Sequence, residues 1–578
     1  MFSFKNLFKL FDEDQKIKIY FLFFLMIINS LLETLTIGLV IPLINLYFNT
    51  SGIVQESFII NKIEEFTNLD TNFILNYFLT FFLIVYILKT VFVVFISWYE
   101  NKFIVKFKEN LSNRFYRNYV NFDISIFTKR NSAEFLRNTI TEIDQSTAYL
   151  NQLLKFVLEV IIVFAIFILL LIVNYSISTV VLLGFLITSI LYLKFFKTKL
   201  TRWGEQRLIA TGERIKFLQE GLGALKEIKL SGTEKFFYDK FKSSNKNLSD
   251  VSFKINFLNT LPRGVFELFA VLTLILIFLI LQFFEFDFSK SITIIGVYLA
   301  AAFRIMPSFS RIVSSLQSIR YNHPSINVLI KEIDYFKKDF NYTKQKEEIN
   351  FKDKIEIRIK NFDYGNSRKF SLNDIYLEIK KGDKIGLVGS SGSGKTTLIE
   401  IFLGILKPNA GDIKIDGKSI FNEKLSHRKV IGYIPQNIFI LDDTLIANIL
   451  FGQNQNDFDI KKIDRIIELV NLKNLVKRLP SGLSTRIGER GIDLSGGEVQ
   501  RIGIARALIN DPEILLFDEA TSALDTFTEK NILSELELIK DKTFISVAHR
   551  IGTLKNCKRI YKLENGIIVD QGGYEKFA

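Results

Sequence analysis

The chain is poor in cysteine and has no concentrated basic stripe. Its 578 residues include one cysteine, Cys557, which excludes an intrachain disulfide. Asp12, Glu13, Asp14, Lys16 and Lys18 precede a long apolar run with no small-residue cleavage site, so a cleavable signal peptide is not expected. Lys and Arg outnumber Asp and Glu by 74 to 61, a formal net charge of +13, but they are dispersed among loops between apolar runs. Such dispersal fits the positive-inside bias of membrane proteins and argues against nucleic acid as a partner.

Apolar residues are abundant. Hydrophobic residues make up 48% of the chain and include 57 Phe, too many for a purely soluble protein. Most long apolar runs precede residue 320; the remainder reads as a soluble α/β domain. Runs able to cross roughly 30 Å of hydrocarbon lie near 17–48, 71–98, 153–174, 176–196, 264–284 and 291–315, predicting six spans. The loop 49–70 sets Lys62 against Glu56, Glu64, Glu65 and Asp70 and is expected outside. The segment after the second span carries Lys102, Lys106, Lys108, Arg114, Arg117, Lys129, Arg130 and Arg137, and is expected inside, like 197–262 and both termini.

These two long inner segments suggest helices that continue past the bilayer, with tips at Asp123 to Glu134 and Gly221 to Thr233. Phe4, Leu7, Phe8 and Phe11 share a helical face, suited to the membrane surface or to ordinary packing. Ile59, Ile63 and Phe66 read equally as an outer amphipathic helix or a solvated loop, and Pro42 and Pro307 are expected to kink their spans.

Cations within spans are costly, so Lys89, Arg263, Arg304 and Arg311 need an explanation. All favour the inner half, and Arg304 and Arg311 share a face of the sixth span. One reading is a cationic belt lining an inward-open cavity suited to phosphate or pyrophosphate. The other is snorkelling or pairing, as Arg263 with Glu267 at i,i+4 would allow. Glu33 fits structural hydrogen bonding and substrate contact equally well.

In the soluble half, Ile385 to Val388 precede Gly389-Ser390-Ser391-Gly392-Ser393-Gly394-Lys395-Thr396 and then Thr397 to Leu403, a strand, glycine loop and helix. The spacing fits a phosphate-binding loop: backbone N–H groups turn toward phosphate oxygens, Lys395 reaches the outer phosphates, and the Thr396 hydroxyl can ligate Mg²⁺. The helix adds its positive N-terminal end. Ile355, Ile357 and Ile359 alternate as a strand, and Tyr364 could stack on an adenine. Ile514 to Phe517 form a buried-strand pattern ending in Asp518 and Glu519: the first can hold Mg²⁺, the second can polarise the attacking water. Leu494-Ser495-Gly496-Gly497-Glu498 lies about twenty residues earlier.

With these motifs in this order, the chain resembles an ATP-binding cassette transporter of the exporter type over essentially its whole length. Gly389 to Thr396 is similar to Walker A, with Thr397 beside it, Gln436 to the Q-loop, Leu494 to Glu498 to the signature and Ile514 to Asp518 to Walker B. Ser522 to Asp525 resembles the D-loop, His549 the switch histidine, and Thr485 to Gly491, containing Glu489, the loop that senses coupling helices. The resemblance implies catalytic roles for Glu519, His549 and Gln436, with Mg²⁺ at Thr396, Gln436 and Asp518. It also implies that Ser495, Gly496, Gly497 and Asp525 complete an ATP site across two chains, hence a homodimer with two ATP sites. His323 and His427 keep a structural reading.

The implied architecture is a six-span α-helical domain of the domain-swapped type IV exporter fold followed by an α/β P-loop domain. Its expected parts are an elbow helix at 1–16, the membrane domain at 17–330, a linker at 331–350 and the ATP-binding cassette at 351–578. The implied place is a bacterial inner membrane, with the nucleotide domain cytoplasmic. Within the family, Glu33 to Pro42 and Phe303 to Ile312 resemble the bacterial flippases of lipid-linked oligosaccharides, implying alternating access and an amphiphilic pyrophosphate cargo. An exporter of lipid A, a drug or a small peptide is the alternative; the intact Glu519 and His549 argue against a non-pumping regulator.

Overall fold

The computed structural model describes residues 7–50, 71–122, 130–283, 288–339, 347–364, 371–422, 425–488, 494–519, 542–548 and 551–577. The outer loop with Ile59, Ile63 and Phe66 lies outside them, as do the first predicted tip over 123–129, Glu489, Asp525 and His549. The chain forms two compact units that meet in sequence at residues 340 and 341.

The first unit is helical. Its elements are α1 (Glu13–Gly38), α2 (Val40–Thr50), α3 (Thr71–Val120), α4 (Ser132–Val173), α5 (Tyr175–Gly223), α6 (Leu225–Ser231), α7 (Glu234–Phe283) and α8 (Phe288–Asp339). Among the described residues, four stretches are long and apolar enough to cross a membrane: Glu13–Ile44, Phe73–Val120, Ser132–Val173 and Tyr175–Gly223. The fifth predicted span, as far as residue 283, and the sixth fall within α7 and α8, of 50 and 52 residues. Helices of this length run about 75 Å at 1.5 Å per residue, well over twice the hydrocarbon thickness. The second predicted tip, 221–233, is the short α6, closed by Gly232 in the left-handed region.

Helix α1 starts at Glu13, ahead of the apolar run expected from residue 17, with Asp12 as its cap; the Asp12 N–H donates to the Gln15 side chain at 3.2 Å. The helix breaks at Leu39, three residues before Pro42, because proline has no N–H to continue the ladder. Pro307 instead sits within a continuous α8. The described end of the elbow packs on protein: Leu7, Leu10 and Phe11 are buried, and Phe11 meets Phe103 and Phe107 edge-on. Helix α8 also continues through Lys331–Asp339, inside the stretch expected as linker, and buries Ile333 and Phe336.

Outside the apolar spans, α4, α5 and α8 are pinned together. A six-residue π-helical turn, Arg137–Glu142, ends on Glu142, which is fully buried. Arg207 of α5 reaches its carboxylate at 3.1 Å and Ser325 of α8 at 2.6 Å, and lies over the Tyr321 ring. Three residues earlier, Gly204 abuts the Tyr321 carbonyl so closely that a β-carbon would lie 2.2 Å from that oxygen. Only glycine lets the two backbones approach so nearly.

The second unit is α/β. Its strands are β1 (Lys354–Asp363), β2 (Ser371–Lys380), β3 (Lys384–Val388), β4 (Ala410–Ile415), β5 (Lys418–Ser419), β6 (Ile431–Ile434), β7 (Ile514–Asp518), β8 (Thr543–Val547), β9 (Arg559–Glu564) and β10 (Ile567–Gly572). The larger sheet runs β10-β9-β3-β8-β7-β6, parallel except for the β9/β10 hairpin; an antiparallel sheet runs β2-β1-β4-β5. The alternation at Ile355, Ile357 and Ile359 turns all three into the core between the sheets, with Ile375, Leu377 and Ile413. Every residue of β7 is buried, as its unbroken apolar run requires. Strand β3 lies between β8 and β9, so the glycine loop leaves the sheet's interior, flanked by the end of β8, with the end of β7 one strand further on.

Candidate functional site

The glycine loop joins β3 to α9 (Lys395–Phe402). Gly392 and Gly394 take φ of 81° and 110°, which other residues avoid, and so turn the loop tightly into the helix N-terminus. The Lys395 ammonium folds back across the loop and donates to the carbonyls of Gly389 at 2.8 Å and Ser390 at 3.1 Å. Burial pushes Lys395 below the usual lysine range, partly offset by Glu519 and Asp518 nearby.

A cleft of about 560 Å³ is lined by Ser391, Gly392, Ser393, Gly394, Lys395, Thr396 and Thr397, with Tyr364, Gln436 and Glu519 facing them. The structure therefore brings together the loop, the Q-loop residue and the acidic residue after β7. Tyr364 shares a hydrogen bond of 2.8 Å with the Thr397 hydroxyl and packs edge-on against Phe362. Gln436 donates to Glu519 at 2.7 Å. Glu519 sits in the left-handed region at φ 52°, with its N–H donating to the Val547 carbonyl at 3.2 Å. A non-glycine residue held this way is strained, a common feature of catalytic positions.

Asp518 is buried at the end of β7, and Tyr433 on β6 donates to it at 3.2 Å. Burial raises its carboxyl above the usual range; the Tyr433 hydrogen bond opposes that, and Glu519 adds to it. Glu400 on α9 is also raised by burial and by Asp518. The donor set at Thr396, Asp518 and Gln436 is hydroxyl, carboxylate and amide oxygen. That is the hard-oxygen chemistry of Mg²⁺, which takes one or two carboxylates and fills its octahedron with water and phosphate oxygens.

Ser495 caps helix α10 (Gly496–Leu508), where it and Glu498 form a reciprocal capping box; Gly496 and Gly497 open its first turn. Glu498 also pairs with Arg478 at 2.8 Å. None of these signature residues lines the cleft.

The first unit gathers three of the four candidate cations. Lys89 of α3 pairs with Glu33 of α1, and Arg304 of α8 reaches the same carboxylate at 2.5 Å. Arg304 also lies 3.9 Å from Glu159 of α4, which pairs with Arg311 of α8. Arg263 stands apart: it is exposed and bonds Glu267 at 2.8 Å, the local pairing its spacing allowed. Sequence reasoning missed Glu159, although it interrupts the apolar run 153–174 as an intramembrane acid, the signal that singled out Glu33. It also missed Tyr433 and Glu400, whose places beside Asp518 depend on strand order.

Together these features define a P-loop ATP-binding domain carried on one chain with a bundle of membrane-length helices. Models of the ABC transporter transmembrane region and of the ABC transporter match residues 17–302 and 372–522. The chain belongs to the ABC transporter family and is an exporter-type ATPase coupled to translocation. It is 28% identical over 464 residues to the ATP-dependent lipid A-core flippase of Cupriavidus metallidurans, covering 78% of this chain and 76% of that protein. It is also 28% identical over 464 residues to the heterocyst differentiation ATP-binding protein HepA of Nostoc sp., covering 78% and 74%. Its fold matches a bacterial Atm1-family ABC exporter solved with ATP bound, at a TM-score of 0.79 and 20% identity over 98% of this chain and 96% of that one.

Proposed function

We propose that two copies of this chain form a flippase that uses ATP and Mg²⁺ to move a pyrophosphate-linked, lipid-anchored oligosaccharide from the inner to the outer leaflet of a bacterial inner membrane. In this reading Lys395 and the loop N–H groups hold the phosphates, Thr396, Asp518 and Gln436 hold the metal, and Glu519 takes a proton from the attacking water. The metal supplies charge neutralisation on the phosphates. Ser495 and Gly497 of a second copy, with Asp525 and His549, complete each site, and Glu489 belongs to the coupling path. The spread of Lys and Arg through 102–137 supports an inner location for the ATP-binding domain.

The observation that carries the cargo is the convergence of Lys89, Arg304 and Arg311, from two helices, on one intramembrane cluster. The three cations are paired with only two acids, Glu33 and Glu159, which leaves one positive charge in excess, and a phosphate-bearing headgroup that cannot cross unaided needs such donors. Arg263, locally neutralised by Glu267, is the weakest member of the proposed site. ATP must favour the closed pair of nucleotide domains over the open one if its binding is to shift the transport equilibrium.

The test is a reconstituted flipping assay comparing a pyrophosphate-linked oligosaccharide, lipid A and a peptide. The expected result is selective flipping of the first, lost on Arg304→Ala or Arg311→Ala. Oligosaccharide flipping that survives both substitutions sinks the cationic site, and preferential flipping of lipid A transfers the assignment to the cargo that the Cupriavidus relative is named for.

A further inference from the structure

Two carboxylates of the membrane cluster have no role of their own in that reading. Glu33 and Glu159 are 6% and 5% exposed. One Glu159 oxygen takes Arg311, while the other lies 3.9 Å from Arg304; Glu33 meanwhile bridges Arg304 and Lys89. Positions 304 and 311 are two turns apart, about 10 Å along α8. Their guanidinium groups nevertheless face opposite oxygens of one carboxylate held by α4: Arg311 is bonded to it, and Arg304 stands 3.9 Å from its other oxygen, within charge-pairing range but not hydrogen-bonded. Glu159 fills the place where the donors of the two arginines meet.

A carboxylate so placed competes with every incoming anion. These five groups carry one positive charge in excess, because three cations face two acids. Displacing Glu159 strands a buried carboxylate, which is strongly unfavourable, and a monoanion, which only replaces one negative charge with another, does not offset that cost. A diphosphate differs in charge and shape. It offers two adjacent phosphoryl groups, each able to take one guanidinium fork, and at least two negative charges to spread over Arg304 and Arg311.

We propose that Glu159 is an internal counterion that closes Arg304 and Arg311 to monoanionic lipids, and that diphosphate amphiphiles are selected because they displace it from both arginines at once. Glu33 keeps Lys89 paired during the exchange, so Arg304 passes from a shared to a single protein partner. Glu159 is thus a specificity-determining residue that acts by occupying the site. The inference rests on the reading of these cations as the cargo site.

The test measures equilibrium binding of radiolabelled farnesyl diphosphate and of farnesyl methyl phosphate, a phosphodiester that carries a single negative charge at neutral pH, to the full chain in phosphatidylcholine nanodiscs. Wild type is expected to bind the diphosphate at least about tenfold more tightly, and Glu159→Gln to bind the monoanionic phosphodiester about tenfold better than wild type, equivalent to about 1.4 kcal/mol. The preference for diphosphate therefore shrinks toward unity. Glu159→Asp, which keeps the charge and shortens the reach, should give an intermediate ratio and stands in where the Gln variant does not assemble. ATP binding and thermal unfolding identify folded samples. An unchanged ratio in the Glu159 variants, with binding still weakened by Arg311→Ala, overturns the counterion and leaves the cationic site standing. If Arg304→Ala and Arg311→Ala leave both affinities unchanged, the cargo site itself falls.

Discussion

Glu519→Gln is expected to separate nucleotide binding from hydrolysis. Glu519 lines the cleft, accepts a hydrogen bond from Gln436 at 2.7 Å and is held by its own N–H on the Val547 carbonyl. Glutamine has the same length, and its amide oxygen can accept from Gln436 as the carboxylate does, so the wall of the cleft keeps its shape. Lys395 keeps Asp518 as a carboxylate neighbour. What is lost is the ability to take a proton. A positioned general base contributes about a hundred- to ten-thousand-fold in rate, or roughly 2.7 to 5.4 kcal/mol of barrier at 1.36 kcal/mol per tenfold. ATP affinity should hold or improve, because one negative charge facing the phosphates is gone. The assay pairs steady-state phosphate release by the full chain in nanodiscs with equilibrium binding of a fluorescent ATP analogue. Turnover within tenfold of wild type removes Glu519 from the base role. A matched loss of binding and turnover would show that the carboxylate shapes the cleft instead.

Other expectations concern the helical unit and the cap at Ser495. Arg207→Met leaves Glu142 buried and unpaired, which should cost about 3 to 5 kcal/mol; adding Glu142→Leu should restore most of the melting temperature, as differential scanning calorimetry would show. Gly204→Ala places a methyl group against the Tyr321 carbonyl and should cost about 1 to 3 kcal/mol by overpacking, read as a lower midpoint in the same scan. Burial raises the Glu498 carboxyl, but hydrogen bonds from Ser495 and the Arg478 charge outweigh it and hold the group below the usual range. Its stabilising contribution is therefore complete above the ordinary carboxylate pKa and lost as the pH falls through the depressed folded value. Melting temperatures from pH 7 to pH 3 should fall more steeply in wild type than in Glu498→Gln; parallel curves would contradict the assignment.

Most of the second unit was legible in the sequence because its signals are local. Alternation at Ile355 to Ile359, the glycine spacing before Lys395 and the apolar run ending at Asp518 each fix an element by periodicity and by what its ends can bond. The partners across the sheet were not legible. Tyr433 and Asp518 are 85 positions apart and meet only because β6 lies beside β7. In the helical unit, hydropathy located the membrane-length runs but not their ends, since helices continue into water wherever tertiary packing supports them. This is why α8 runs past residue 330, burying Ile333 and Phe336. The intramembrane cations were visible as costly residues, whereas their counterions required a fold: Glu33 serves both Lys89 and Arg304, from separate helices. Only Arg263, whose partner lies one turn away, could be paired by spacing alone.

The contact at Gly204 limits how the helical unit can move. With no side chain between the α5 backbone and the Tyr321 carbonyl, and with Arg207 tied nearby to Glu142 and Ser325, α4, α5 and α8 have little room to slide past one another along this stretch. A spacer can be compressed or can roll; a backbone set against a carbonyl can do neither without breaking the contact. The three helices are therefore expected to move here as one block. Spin labels on α5 and α8 near this stretch should keep a fixed separation through the ATP cycle, with the motion taken up at the boundaries of the block.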